Sequence, residues 1–313
     1  MKDLLLYDVE WWILGKTAKT IQRHHPALDI MSARELDDYL REKGSAALNA
    51  EYRTISAMCL GIAAYAIFKH VRIDSSAAVS YYYFSKNYDT YREWQDELVP
   101  DPEFLRLVIP RIRKIGSMNQ RLAEKLKHLA PAADIEYIGH FVDHRLFRPD
   151  GRPRSSDEPL VVGWAGDRNK RSKNYNTLFV PIRRHFERDA MVRFLDTPGR
   201  YAHEDMPSFY HSIDLLLITS SNEGGGATAL EAFACGKPVL STDVGYIREA
   251  APSASHELIL RSDSPEAFIR AIDRYKKERT ALQSLGLRCR QQIEDHWRMD
   301  QGAARWIRVL FGL

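Results

Sequence analysis

The chain has 313 residues, 45 Lys and Arg against 42 Asp and Glu for a formal net charge of +3, 44% hydrophobic and 28% charged residues. That length exceeds what one hydrophobic core ordinarily holds, so two α/β domains of about 150 residues each are expected. Ordinary hydrophobic content excludes extensive disorder, and Lys and Arg interspersed with Asp and Glu argue against a nucleic-acid partner.

From the amino terminus, Met1-Lys2-Asp3 and a short apolar run read as a first strand, not a signal peptide. Apolar runs rich in β-branched residues then alternate with amphipathic stretches, the pattern of a parallel sheet covered by helices. In the first half, strands are expected at residues 4–7, 27–31, 53–59, 77–83, 113–116 and 135–138. Helices are expected at 12–24, 33–43, 63–71 and 119–128, with Ser117 placed to cap the last. The apolar stretch 55–68 is too short to span a bilayer, so no membrane span is expected. Peripheral contact through basic and aromatic side chains stays open. Around Phe147-Arg148-Pro149-Asp150-Gly151-Arg152-Pro153 the composition turns to Pro, Gly and charge, as in an interdomain linker. A second βα series follows, with strands near 160–164, 191–195, 215–218, 238–241 and 258–260. Its helices are expected at 175–186, 206–212, 228–234, 265–277 and 279–296, and a last amphipathic stretch at 300–310. The domains so read are 1–149, 150–297 and a terminal helix, 298–313, returning to the first domain. Cys59, Cys235 and Cys289 fit neither a disulfide framework nor a paired zinc spacing, which implies a reducing, cytoplasmic compartment.

The most informative segment runs from Ser220 to Pro238. Gly224-Gly225-Gly226-Ala227-Thr228 follows a strand and opens a helix, at the end of a parallel sheet where ligands bind. Residues without β-carbons let a ligand approach the main chain, and free helix N–H groups attract anions, so a diphosphate is the natural occupant. Glu223 precedes the glycines. Glu231 follows eight residues later, within about 80° of the same helix face. Two carboxylates so placed suit a polyhydroxylated ligand, since each accepts two or more hydrogen bonds from adjacent hydroxyls. Taken alone, the pair reads more simply as a cap and a solvated helix residue.

Glu223, seven residues, Glu231, then Ala-Phe-Ala-Cys-Gly-Lys-Pro-Val and Ser-Thr-Asp-Val-Gly, resembles the donor signature of GT-B retaining glycosyltransferases of the family-4 type. His203 to Tyr210 before Ile213-Asp214 resembles the helix before that family's donor strand. Ile138-Gly139-His140-Phe141-Val142-Asp143 resembles its interdomain segment, with Phe141 where a glycine is common. The resemblance implies two Rossmann-like domains facing across a cleft, a C-terminal helix crossing back, and a nucleotide-diphosphate sugar, UDP- or GDP-linked, as donor. It assigns Glu223 to the transferred sugar and Glu231 to the ribose, with transfer to a glycan, lipid-linked or other hydroxyl acceptor and retention at the anomeric carbon. Polysaccharide or glycoconjugate synthesis is the implied setting.

By the same resemblance Arg168 and Lys173, after the turn at Gly166, carry the leaving diphosphate, with Lys170 or Arg171 as alternatives in that basic loop. No cofactor and no essential metal are expected, for no D-x-D occurs. Asp8-Val9-Glu10 reads as a solvated loop or helix start. Gly15-Lys16 lies where the family's first loop approaches the phosphates, and His70 is the mid-domain candidate for an acceptor-side histidine. Trp11 and Trp12 suit a sugar or a membrane surface, although one of them facing the core is as good a reading. A sugar-nucleotide epimerase and a non-catalytic sugar-nucleotide-binding subunit are the competing readings.

Overall fold

A computed structural model describes residues 1–151, 155, 157–197 and 202–313. The chain forms two compact units. The first comprises Met1–Asn87, Val99–His140 and Asp300–Leu313, and the second Tyr88–Leu98 and Phe141–Met299.

The first unit holds a parallel sheet of β1 (Asp3–Tyr7), β2 (Leu28–Ser32), β3 (Thr54–Ala57), β4 (Ile73–Ala78), β5 (Ile112–Ser117) and β6 (Asp134–Tyr137), in the order β2-β1-β3-β4-β5-β6. β1 is buried along its whole length, as its unbroken Leu4-Leu5-Leu6 run requires of a strand covered on both faces. Residues 79–83 do not extend β4. The strand uses the less apolar Ile73-Asp-Ser-Ser-Ala-Ala, and Tyr82–Phe84 turn into a short 3-10 helix. Buried hydroxyls explain the choice: Ser56 on β3 and Ser75 on β4 donate to the carbonyl of Leu310, at 2.9 and 2.7 Å. Leu310 lies in the last turn of the helix Met299–Phe311, where main-chain carbonyls lack an intrahelical partner. Trp306 of that helix donates to the Gly139 carbonyl at 3.1 Å. Asn119, not Ser117, caps the helix Gln120–Leu129. Its extended backbone directs the side chain onto the Leu122 N–H at 2.6 Å, whereas Ser117 still belongs to β5.

The second unit holds β7 (Leu160–Trp164), β8 (Val192–Asp196), β9 (Leu215–Ile218), β10 (Val239–Thr242) and β11 (Ile259–Leu260), all parallel, in the order β11-β10-β9-β7-β8. Leu160, Val162, Leu215, Leu217 and Leu240 pack with Phe179, Ile182, Phe268 and Ile272 of the flanking helices. The expected helix 175–186 begins as a π turn over Tyr175–Phe179 and is α-helical only from Val180 to His185. Pro181, which lacks an N–H, sits at that junction.

The chain passes from one unit to the other after His140 rather than at Pro149. Val142 already belongs to the second unit: its N–H donates to the Trp297 carbonyl at 3.0 Å, and Phe147 is fully buried against the rings of His203 and Tyr210. Residues 141–149 are therefore packed structure. Arg152 and Pro153 of the expected linker lie outside the described residues.

Asp3 at the start of β1 is fully buried, accepts from Arg53 at 3.0 and 2.5 Å, and lies 2.8 Å from His25 Nε2. Burial alone would raise its pKa, but the hydrogen bonds from Arg53 and His25 outweigh it and hold the carboxyl below its ordinary 3.8. A depressed carboxyl stabilises the fold fully above the unfolded value, and that contribution is lost as pH falls through the lower folded one. Asp3→Asn is expected to lower the melting temperature at pH 7, and the gap to wild type should narrow as melts are repeated below pH 3.8. A gap independent of pH would contradict this role.

Candidate functional site

In the second sheet the chain leaves β7 for β8 on one side and then crosses to β9 on the other. Such a reversal opens a crevice at the carboxyl ends of the two central strands. The segments that follow β7, β9 and β10 meet there. Thr219 after β9 accepts from Trp164 Nε1 at 3.1 Å and donates to the Lys173 carbonyl at 2.6 Å. Asn174, in the left-handed conformation at φ +51°, donates from its side chain to the Thr219 carbonyl at 3.0 Å. The Ser221 N–H reaches the Ser172 carbonyl at 2.8 Å, and Thr242 donates to the Ser220 carbonyl at 2.5 Å. The basic loop and the glutamate loop are thus laced together by main-chain and neutral side-chain bonds before any charged side chain is considered.

Lys173 forms an ion pair with Glu223, and Ser220 donates to the same carboxylate oxygen at 2.7 Å. The Glu223 side chain is only 15% exposed. Burial alone would push its pKa up, yet the charges of Lys173 and Lys170 and the hydrogen bonds from Lys173 and Ser220 more than offset this and hold it low. Glu223 is therefore an ionised carboxylate in a nearly closed crevice. Lys170 lies over the Tyr88 ring, 5.7 Å from its centroid. Desolvation pulls its pKa down, but Tyr88 and Glu223 prevail and raise it.

Arg168 is turned the other way. It pairs with Asp196 at the end of β8 at 2.6 Å and lies over the Tyr175 ring. Of the four cations in the loop, Lys173 and Lys170 act on Glu223, whereas Arg168, Lys170 and Arg171 line a cavity of about 560 Å³ with Asp89, Arg92 and Asp263. Gly166 lies half-buried at the head of the loop, against the Trp164 ring.

Gly224, Gly225 and Gly226 lead into the helix Ala227–Ala234, with Ala227 and Thr228 in its first turn. The glycine after β10 is equally constrained. Gly245 has φ +55°, and a β-carbon there would fall 2.2 Å from the Gly225 carbonyl oxygen. Glu231 is 7% exposed, accepts from the buried Tyr210 hydroxyl at 2.6 Å and lies 3.7 Å from His203 Nδ1. It is not the solvated helix residue of the simpler reading. Among the described residues no group of three or more His, Cys, Asp or Glu is gathered as metal ligands would be.

The candidates in the first unit divide. Gly15 and Lys16 lie in the first turn of the helix Ile13–His24 at the carboxyl end of β1, where a β-carbon on Gly15 would meet the Val9 carbonyl at 2.5 Å. Asp8, expected as a solvated residue, has a buried Oδ1 without a hydrogen-bond partner, and burial pushes its pKa up. Trp11 and Trp12 are both exposed, so neither faces the core. His70 is exposed in a turn at φ +63° that feeds the amino end of β4. That is the end of the sheet opposite to the one where parallel strands bind ligands.

Residues 190–292 match the family described as Glycosyl transferases group 1. The chain is 37% identical over 82 residues to a lipopolysaccharide core biosynthesis mannosyltransferase, LpsB, of Rhizobium meliloti, covering 26% of this chain and 23% of that protein. It is 26% identical over 203 residues to a 2-deoxystreptamine N-acetyl-D-glucosaminyltransferase of Streptomyces fradiae, covering 53% of this chain and 48% of the relative. The chain therefore spans less than half the length of either curated relative.

Among solved structures, the sucrose-phosphate synthase of Thermosynechococcus elongatus superposes with a TM-score of 0.71 at 14% identity over 97% of both chains. HepE of Anabaena in complex with UDP-glucose superposes at 0.70 and 12% identity over all of both chains. The fold is of the GT-B type, with two Rossmann-like parallel-sheet units.

Gly245→Ala places a methyl group on the Gly225 carbonyl at a backbone angle that side chains disfavour, and is expected to destabilise the second unit by roughly 2 kcal/mol or more, read as a lower urea midpoint. Lys173→Met removes the first of the charges that offset burial of Glu223. Carboxyl-labelled NMR is then expected to show Glu223 titrating at higher pH than in the wild type, and an unmoved midpoint would contradict the pairing.

Proposed function

We propose that this chain is a glycosyltransferase that takes a sugar from a nucleotide diphosphate, UDP or GDP, and transfers it to an acceptor hydroxyl with retention. The observation that carries this reading is the buried, ionised Glu223 paired with Lys173 beside a run of glycine amides at the switch point of the second sheet. The similarity of residues 190–292 to glycosyl transferases, and the UDP-glucose held by a protein of the same fold, support it.

In this reading the amides of Gly224 to Thr228 meet the sugar and diphosphate oxygens, and Glu223 accepts from the sugar hydroxyls. Glu231, oriented by Tyr210, accepts from the ribose. Departure of the nucleotide leaves negative charge on the diphosphate, and the fixed cations Lys173 and Lys170 stabilise it in place of a metal, whereas Arg168 is held by Asp196. Exclusion of water keeps the oxocarbenium-like centre for the acceptor. Gly15 and Lys16 belong to the acceptor side. The acceptor is a glycan or a lipid-linked glycan, consistent with the lipopolysaccharide core biosynthesis mannosyltransferase among the relatives. The reaction takes place in the cytoplasm or at the inner face of the membrane; among the described residues no helix is long and apolar enough to cross a bilayer.

A thermal-shift screen of UDP-, GDP-, ADP- and dTDP-sugars is expected to give one stabilising donor class, with the shift unchanged by EDTA. With that donor, Glu223→Ala is expected to lower kcat/KM by about 100-fold or more. Glu231→Gln is expected to raise the donor KM by about tenfold with little change in kcat. Turnover of Glu223→Ala within a few-fold of wild type would refute the assignment. Release of free nucleotide or an altered sugar without any acceptor would favour an epimerase, and binding without turnover a non-catalytic subunit.

A further inference from the structure

Eleven residues from the amino-terminal half of the chain, Tyr88–Leu98, belong to the second unit. They form a strap across the loops just described. Asn222 donates from its side-chain amide to the carbonyls of Tyr88 and Tyr91 at 2.9 and 3.0 Å. The Glu93 N–H donates to the Ser221 carbonyl at 3.0 Å. Glu93 Oε2 in return accepts from the Glu223 N–H at 3.2 Å and from the Gly245 N–H at 2.9 Å. Farther along, Arg92 pairs with Asp263 at 2.6 Å and Arg261 donates to the Trp94 carbonyl at 3.0 Å. Three consecutive residues of the glutamate loop, 221 to 223, are thus bonded to a segment about 130 positions away in the chain.

Glu93 is 2% exposed. A carboxylate is a poor choice for simple filling, because withdrawing it from water is unfavourable unless donors are fixed around it. Two donors here are main-chain N–H groups of separate loops, Glu223 after β9 and Gly245 after β10, and a single oxygen bridges them. Charge-assisted bonds of this kind are stronger than neutral ones. The loop so held carries Glu223, and the loop opposite carries Gly245, whose contact with the Gly225 carbonyl leaves no slack.

We infer that Glu93 is a positioning residue of the donor site: its carboxylate fixes the Glu223 loop against the Gly245 loop, so that the strap from the amino-terminal half completes the sugar-nucleotide pocket. The catalytic part of this inference rests on the glycosyltransferase reading; the mechanical part does not. Asp89, Thr90 and Arg92 of the strap also line a cavity with Arg168, Lys170 and Ser221, on the basic-loop side of the strap.

The test compares wild type, Glu93→Gln and Glu93→Ala. The glutamine keeps an oxygen able to accept both N–H bonds; the alanine does not. Amide hydrogen exchange is expected to accelerate at Glu223 and Gly245 by about tenfold or more in Glu93→Ala, to stay within about threefold of wild type in Glu93→Gln, and to be unchanged in β7 and β9. Turnover is then measured with whichever of UDP-glucose, GDP-mannose, ADP-glucose or dTDP-glucose stabilises the wild type. In Glu93→Ala kcat is expected to fall by about tenfold, more than donor KM changes, with most activity restored in Glu93→Gln. Unaltered exchange at both amides in Glu93→Ala overturns the inference whatever the ligand results. Altered exchange with unaltered kcat overturns its catalytic part. Failure of wild type to bind any of the four compounds refutes the glycosyltransferase reading instead, and leaves the exchange data to decide the role of Glu93.

Discussion

A negative charge held in a crevice from which water is largely excluded is the constraint on which the second unit is built. Burial raises the pKa of Glu223, and Lys173, Lys170 and Ser220 fixed around it more than offset that and hold it low. Fixing them demands that the loop after β7 and the loop after β9 be locked in register, and much of the hydrogen bonding nearby serves that end. Thr219 ties Trp164 to the Lys173 carbonyl, Asn174 adopts a left-handed turn to cap the basic loop, and the Ser221 N–H reaches across to Ser172. The ion pair is thus held in place by bonds between the two loops.

The parts of this site that were legible from the amino-acid sequence are those with a local physical signature. Apolar runs of four to six residues located β1, β7 and β9, because a strand covered on both faces has no polar alternation to hide it. The glycine run before Ala227 was legible as the start of a helix after a strand, and Glu223 lies just before it, paired with Lys173. The division of labour among the basic residues was not legible. Arg168 and Lys170 are two positions apart in one loop, and only the folded chain shows that Lys170 lies over the Tyr88 ring with its charge acting on Glu223, whereas Arg168 pairs with Asp196 on β8.

Where the signal depended on distant partners, sequence reading misplaced or overlooked it. The strand expected at 77–83 lies instead at Ile73–Ala78, where the Ser75 hydroxyl donates to the Leu310 carbonyl of the C-terminal helix, a partner far away in sequence. His70 is mid-domain by number but lies at the amino end of β4. Glu93 carries no motif at all. In isolation it is one acid in an aromatic and charged stretch, and its role is visible only when the amides of Glu223 and Gly245 are seen to converge on it. The buried Oδ1 of Asp8 is a similar case in the first unit, since nothing near it in sequence indicates that it is shielded from water.

The central claim is that the carboxyl ends of β7 and β9 bind a sugar nucleotide between a basic loop and an ionised glutamate. A crystal structure of the chain grown with a nucleoside diphosphate and the matching sugar tests it most directly. The account predicts density for the diphosphate on the amides following Glu223 and beside Lys173, with the ribose hydroxyls on Glu231. A nucleotide bound elsewhere, or a crevice closed by side chains with Glu223 turned out of it, would contradict the account.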